Sequence, residues 1–501
     1  MRRAIVNCRL SVVNGLLLLA ACGGGDTAGP SGDNSFTVEL ANTAATVIVG
    51  GRTQLAATVR NDAGQVVTAT ISWTSSNTLS VTVSNNGTVA GLAPGQSLVT
   101  ARVGTAKAEA TITVPALPLT GTAVPELASF DQIIPALMLK WGIPGGAVAV
   151  VKDGRLIYAR GYGYSDLETA TPTAADALFR LASISKPITA AAALKLEEEG
   201  RLDLDTPAFS FRPDLTEPPG TARDSRINGI TVRQLLWHVG GWDRDVSGDP
   251  MFNPVGIAQA LGVPPPAGCE GVMRFMLGRP LDFAPGTKFA YSNFGYCVLG
   301  RVIEKVAGEP YNDYVQEKIL TPLGITRMRI GASNREGRAP GEVTYYDRDS
   351  TTSVFGGGGI VPSPYGGFFL ESFDALGAWI ASAPDLLKFM TAVDGFSTRP
   401  DILRPETISL MLTTAPGVWG ASPYYYAMGW LRRPAQDNWW HDGSLPGTTT
   451  LLVRAGNGLA WAALFNARSM KPNSLFAAEL DPALWQAVGE VTSWPSGDQF
   501  Q

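Results

Sequence analysis

Histidine is nearly missing from this chain: 501 residues hold only His238 and His441. A hydrolase built on several histidine ligands to zinc is excluded in practice. Positive charge shows no excess either. Lys and Arg number 39 against 44 Asp and Glu, a net charge of −5, which leaves no basic footprint for nucleic acid. After the N-terminus no run of eighteen or more apolar residues occurs, so no later membrane span is expected. Gly-x-Ser-x-Gly is absent, and with it the strained nucleophile elbow of ordinary esterases. Cysteine occurs four times, as Cys8, Cys22, Cys269 and Cys297.

What is present describes a globular protein of more than one domain: 45% hydrophobic residues, 17% charged, and a length beyond one ordinary core. Arg2 and Arg3 precede a short apolar stretch, LSVVNGLLLLAA, which reads as an export signal. It ends in Leu19-Ala20-Ala21-Cys22, which resembles a bacterial lipobox. That resemblance implies a signal peptide over 1–21 and a lipidated Cys22, holding the protein on an extracytoplasmic membrane surface. Gly23 stands where an inner-membrane retention signal often carries aspartate, which favours the outer membrane in a two-membrane cell. Residues 22–35, rich in Gly, Ser and Asp, form a flexible tether. Cys269 and Cys297 then remain in an oxidising compartment, where a disulfide between them is expected.

Residues 36–115 change character. Short Val- and Thr-rich runs alternate with turn signals such as Asp62-Ala63-Gly64 and Asn86-Gly87, the pattern of a β-sandwich. The order WTSSN…VSNNGTVAGLAPG resembles the bacterial group 2 immunoglobulin-like domain, and the simplest role for it is a spacer. A Pro-containing linker follows over 116–126. From 127 to 490 helical and strand patterns mix, with a tail over 491–501. One hairpin is expected around Asp153-Gly154 and another around Gly456-Asn457-Gly458. Helices lie between them, so the two hairpins could share one antiparallel sheet in an α+β domain. The glycine-rich stretch 355–367 reads as a surface loop that could border a site.

Three motifs carry chemistry. In LASISKPITA, Ser183 lies three residues before Lys186, and Pro187 fits only in the first turn of a helix. Both polar groups then share one helical face at an N-terminus, where backbone N–H groups favour developing negative charge. A buried lysine can lose its proton and act as a base. Farther on, Tyr291-Ser292-Asn293 precedes an amphipathic helix. Tyr291 could relay a proton and Asn293 could bond a substrate amide. Lastly, His441-Asp442-Gly443 leads into the terminal hairpin, where a glycine permits close approach to a strand edge. His238 reads as structural, and Glu197, Glu198 and Glu199 as a solvated helix end.

Ser-x-x-Lys, Tyr-x-Asn and a Lys/His-x-Gly triplet, in this order, resemble the serine β-lactamase and penicillin-binding protein superfamily. The likeness is to the branch holding class C β-lactamases, D-alanyl-D-alanine peptidases and related carboxylesterases. ITVRQLLWHVGGW, FAYSNFGYCVLGRVIE and SAPDLLKFM extend it across roughly 127–490. The resemblance implies a multidomain chain: an all-β immunoglobulin-like sandwich, then an α+β β-lactamase/transpeptidase-like domain with an antiparallel sheet, flanking helices and a helical subdomain. It implies acyl transfer with Ser183 as nucleophile and Lys186 and Tyr291 managing its proton. Asn293 would orient the substrate, the N–H groups of Ser183 and Ser444 would hold the oxyanion, and His441 and Gly443 would line the edge strand. No metal or cofactor is required. A small ester, a peptidoglycan peptide and a β-lactam all remain open as substrates, as does the oligomeric state. Histidine stands at 441 where typical class C enzymes carry lysine, which weakens the expected grip on a β-lactam carboxylate. A non-catalytic envelope-binding protein that keeps the fold is the reading from another class.

Overall fold

The structure, a computed structural model, describes residues 35–468 and 470–500. Cys8, Cys22 and most of the expected tether lie outside the described residues. Nine short strands between Thr37 and Val114 build the first part. One sheet joins Ala44–Thr46, Ala106–Val114, Gly95–Val103 and Ser72–Ser75, and a second joins Arg52–Gln54, Thr88–Gly91 and Val81–Val83. The long strand Gly95–Val103 alternates buried and exposed residues as a half-buried strand must. Val99, Ala110 and Ile112 of the first sheet are buried in one cluster with Val81 and Val89 of the second, so this part is an immunoglobulin-like sandwich. Gly64 and Gly87, at the two turn signals, both have positive φ.

The second part centres on an antiparallel sheet. Helix α1 (Ala128–Trp141) leads into β1 (Gly145–Lys152) and β2 (Arg155–Asp166). Asp153 and Gly154 between them both have positive φ, as a two-residue hairpin turn demands. After the long buried helix α2 (Ser185–Glu198), α3 (Asn293–Ala307) and α4 (Ala383–Met390), the chain returns to the sheet as β3 (Asn438–Leu445), β4 (Thr448–Arg454) and β5 (Leu459–Phe465), then ends in α5 (Phe476–Gly489). Strand β5 pairs with β1, Gly146 opposite Phe465 through Lys152 opposite Leu459. The two hairpins therefore share one sheet.

Both faces of that sheet are covered, which explains why β1 is apolar nearly throughout rather than alternating. Val148 and Val150 point toward Phe130 and Ile134 of α1 and Leu480 of α5. Ala147, Ala149 and Val151 point to the other face, toward Ala190–Leu194 of α2 and Leu386 of α4. Helix α2 is buried on every side along Ser185–Leu194, as its run of four alanines allows: small side chains let strand and helix approach closely. Its end departs from the solvated face expected of the three glutamates. The Glu198 carboxylate accepts from Arg404 N at 2.6 Å and from the Thr407 hydroxyl at 2.8 Å, and it pairs with Lys195. Residues beyond 490 run back to the sheet, where Gln499 N donates to Leu156 O at 2.7 Å. Among the described residues no helix is long and apolar enough to cross a membrane.

Cys269 and Cys297 are disulfide-bonded across a separation of 28 residues. The bond ties the helix Cys269–Leu277 to α3 one turn beyond Asn293. Closing a loop of that length restricts the unfolded chain. Replacing both cysteines with alanine is expected to lower unfolding free energy by about 3 kcal/mol, read from denaturant midpoints of the wild type and the double variant.

Candidate active site

Ser183 lies in a short turn, Ala182–Ile184, just before α2 begins. Ala182 holds a φ of 50°, a left-handed conformation that costs a non-glycine residue energy and must be imposed by its surroundings. The surroundings are firm. Leu181 N donates to Trp379 O at 2.8 Å, and Leu181 O accepts from the Thr450 hydroxyl of β4 at 2.8 Å. The turn is thus pinned to the sheet on one side and to the strand Trp379–Ala381 on the other, and Ser183 is left half-buried.

Lys186 follows one turn later and is fully buried. Its Nζ lies 3.2 Å from Ser183 Oγ, 2.8 Å from Asn293 Oδ1 and 2.7 Å from Leu376 O. Burial pushes its pKa well below the ordinary lysine range. Asp249 and Asp442 oppose that shift by charge, while Arg244 adds to it. A neutral amine has two N–H donors and one lone pair. Asn293 Oδ1 and Leu376 O can only accept, so they take the two N–H groups. In the neutral form the lone pair is left for Ser183 Oγ, the third group within hydrogen-bond reach of Nζ.

Tyr291 and Asn293 arrive on the turn that starts α3. Ser292 caps this helix, its Oγ accepting from Gly295 N at 3.1 Å. Ser292 N in turn donates to Nδ1 of buried His238 at 3.1 Å. The His238 ring lies 4.3 Å from the Tyr291 ring and 4.5 Å from that of Tyr426. His238 therefore supports the tyrosine from behind. The Tyr291 ring sits 4.8 Å from Lys186 Nζ. Among the described residues its buried hydroxyl has no well-aligned hydrogen-bond partner. Burial raises its pKa well above the usual phenol value, partly offset by Ser183 alongside, so the group keeps its proton at neutral pH and can pass one on.

Strand β3 forms the opposite wall. It pairs with Leu431–Arg433 only as far as Trp440, leaving the outer edge of His441–Leu445 without a strand partner. Leu445 and Thr448 flank the two-residue turn to β4, and such a flanking pair exchanges hydrogen bonds. Alternation then turns the N–H and C=O groups of Asp442 and Ser444 outward, to the free edge. Ser444 thus offers an N–H toward the site, as an oxyanion hole requires. Gly443 has a tighter reason than substrate approach: a Cβ there would collide with Leu181 O and the Thr450 hydroxyl. The missing side chain is what lets the nucleophile turn lie against the strand.

His441, expected to line the edge strand, lies on it with its ring turned inward. It is buried, with Nδ1 2.6 Å from Asp442 O and Nε2 3.1 Å from the Tyr426 hydroxyl. A neutral ring that donates from Nδ1 and accepts at Nε2 satisfies both partners. Burial pushes its pKa down to about 4, so the ring brings no positive charge to a substrate. Asp249, Arg244 and the Leu376 carbonyl were not legible as site groups in the sequence. Arg244 opens a one-turn helix, Arg244–Ser247, and Asp249 and Leu376 lie in irregular segments, all far from the motifs in sequence. Arg244 sits with its guanidinium 4.8 Å from the Tyr291 ring. Asp249 accepts from Asn293 Nδ2 at 2.6 Å.

Residues 130–482 match the Beta-lactamase family. The chain belongs to that family. Residues 36–114 match the bacterial Ig-like domain (group 2). Esterase EstB of Burkholderia gladioli is 31% identical over 298 residues, covering 56% of this chain and 71% of that protein. Protein flp of Staphylococcus aureus (strain N315) is 25% identical over 331 residues, 64% of this chain and 59% of its own length. The alignment thus spans under two thirds of that longer relative. The octameric penicillin-binding protein homologue from Pyrococcus abyssi superimposes with a TM-score of 0.55 at 26% identity, covering 73% of this chain and 79% of that one.

Two outcomes follow from this geometry. Gly443→Ala is expected to push β3 from the Ser183 turn and to slow acylation of Ser183 by an active-site serine probe by about 100-fold, the scale of a misplacement near 1 Å; labelling rates of the folded variant and the wild type read it. Burial also lowers the pKa of both histidines below the free value of 6.5. The unfolded chain then binds protons below that pH while the folded one does not. Stability is full above pH 6.5 and falls toward pH 4 by about 1.4 kcal/mol per pH unit per histidine. His441→Gln should flatten part of that slope in urea unfolding measured from pH 7 to pH 4.5.

Proposed function

We propose that this chain is a serine hydrolase that cleaves an ester or amide through an acyl-enzyme on Ser183. The observation that carries the reading is the buried Lys186 amine 3.2 Å from Ser183 Oγ, its two N–H groups taken by Asn293 Oδ1 and Leu376 O. Ser183 Oγ bonds to the substrate carbonyl carbon while its proton passes to Lys186 Nζ. The oxygen that becomes negative meets the N–H groups of Ser183 and Ser444, at the start of α2 and the free edge of β3. The carbon–leaving-group bond then breaks, and the leaving group takes a proton from Lys186 directly or through the Tyr291 hydroxyl. Water repeats the sequence on the acyl-enzyme, releasing the acid and restoring Ser183.

The neutral, buried His441 supports an uncharged ester or amide over a substrate held by its carboxylate, as a β-lactam or a peptide C-terminus would be. Likeness to a named esterase agrees with this. The lipobox-like Leu19-Ala20-Ala21-Cys22 supports a lipid-anchored protein of the bacterial envelope, with the immunoglobulin-like part as spacer.

Ser183→Ala is expected to abolish hydrolysis of a p-nitrophenyl ester, by roughly 10⁴-fold or more, with Lys186→Ala close behind. Hydrolysis that survives Ser183→Ala would overturn the reading. The wild-type rate should rise with pH through a Lys186 pKa far below the ordinary lysine value, because the neutral amine is the active form.

A further inference from the structure

The sequence motif assigns Asn293 to substrate, yet its amide is already engaged on both sides. Oδ1 accepts from Lys186 Nζ at 2.8 Å and Nδ2 donates to Asp249 Oδ2 at 2.6 Å. The two ends of an amide are nearly the same shape, so something must decide which end faces the lysine. Asp249 does so, because an ionised carboxylate only accepts hydrogen bonds. Its own position is fixed by Oδ1, which accepts from Met251 N at 3.1 Å as it caps the turn Pro250–Phe252.

We infer that Asp249 is a positioning residue for the Ser183 reaction: it locks the Asn293 amide with Oδ1 toward Lys186, which leaves the lysine lone pair facing Ser183. If the amide turned over, Nδ2 would face the lysine as a donor and draw the lone pair away from the serine. Asp249 thus acts through Asn293 and does not touch the reacting atoms. The inference rests on the serine hydrolase reading above.

A second effect comes with the first. The charge of Asp249 raises the Lys186 pKa. The other groups around that amine are Arg244, which lowers it, Asp442, which raises it, and the rings of Tyr291 and Tyr296 at 4.8 and 5.5 Å. His238 and His441 lie nearby, and burial keeps both neutral at pH 7. Removing the Asp249 charge makes the lysine easier to deprotonate, so the acid limb of the rate profile moves to lower pH.

The test measures p-nitrophenyl butyrate hydrolysis against pH in the full chain for Asp249→Asn, Asp249→Leu, Asn293→Ala and the double variant Asp249→Leu/Asn293→Ala, with Ser183→Ala alongside. Asp249→Asn keeps the size of the side chain and removes the charge. Its acid limb should move to lower pH, and because an amide can donate as well as accept, the lock on Asn293 is lost and the limiting rate falls about as far as in Asp249→Leu. Asp249→Leu should show the same shift and lose about tenfold in limiting rate, less than the roughly 100-fold low end for loss of a general base, because Lys186 itself is kept. In the Asn293→Ala background the leucine change should cost little more, because residues that act as one unit are not additive. A limiting rate in Asp249→Asn equal to the wild type, or a leucine penalty of equal size in both backgrounds, would overturn the positioning role while leaving the hydrolase intact. Activity in Ser183→Ala would overturn both. Should Asp249→Leu not fold, Asp249→Asn decides by its limiting rate, measured alone and in the Asn293→Ala background.

Discussion

The site turns on the burial of one amine. Lys186 is placed where water cannot solvate its charge, and a lysine so placed lies far below its ordinary pKa. Everything around it serves to keep a neutral amine in one orientation. Two oxygen acceptors from distant parts of the chain, Asn293 and Leu376, take its N–H groups, and the one direction left open holds Ser183. A more exposed lysine would be an ammonium at neutral pH, a donor rather than a base.

That burial is achieved by the fold. Helix α2 carries Lys186 through the centre of the domain, enclosed on every side along its first ten residues. The alanine run makes this close packing possible, and the sheet holds the front of the helix in place through Thr450 and Leu181. Gly443 completes the arrangement by removing the one side chain that would separate β3 from the nucleophile turn. The strained Ala182 is the local cost of aiming Ser183 between helix start and strand edge. His238, far from the chemistry in role, fixes the turn that delivers Tyr291 and Asn293.

Much of this was legible in the chain, because it depends on short spacings. Ser-x-x-Lys declares a shared helical face, and Pro187 sets where the helix starts. Asp153-Gly154 and the glycines at 456 and 458 declare hairpins whose strands then find one another. Other parts depend on long-range packing and leave no local trace. Asp249 sits 44 residues before the amide it holds, in a loop with no periodicity, and Leu376 contributes only a main-chain oxygen. His441 stands in a motif that the family resemblance assigns to substrate, but its ring is turned inward, against Tyr426, which only the strand's place in the fold reveals. Glu198 looked solvated beside two other glutamates, and only the fold brings Arg404 and Thr407 to it.

The most direct measurement is the protonation state of Lys186 itself. Lysine side-chain NMR on the full protein labelled with ¹³C and ¹⁵N at Cε and Nζ, with Lys186→Arg to assign the signal, would follow that amine through a pH titration. The burial of Lys186 predicts one lysine that is a neutral amine at pH 7 and titrates well below all the others. A Lys186 signal that remains an ammonium up to the ordinary lysine range would contradict it.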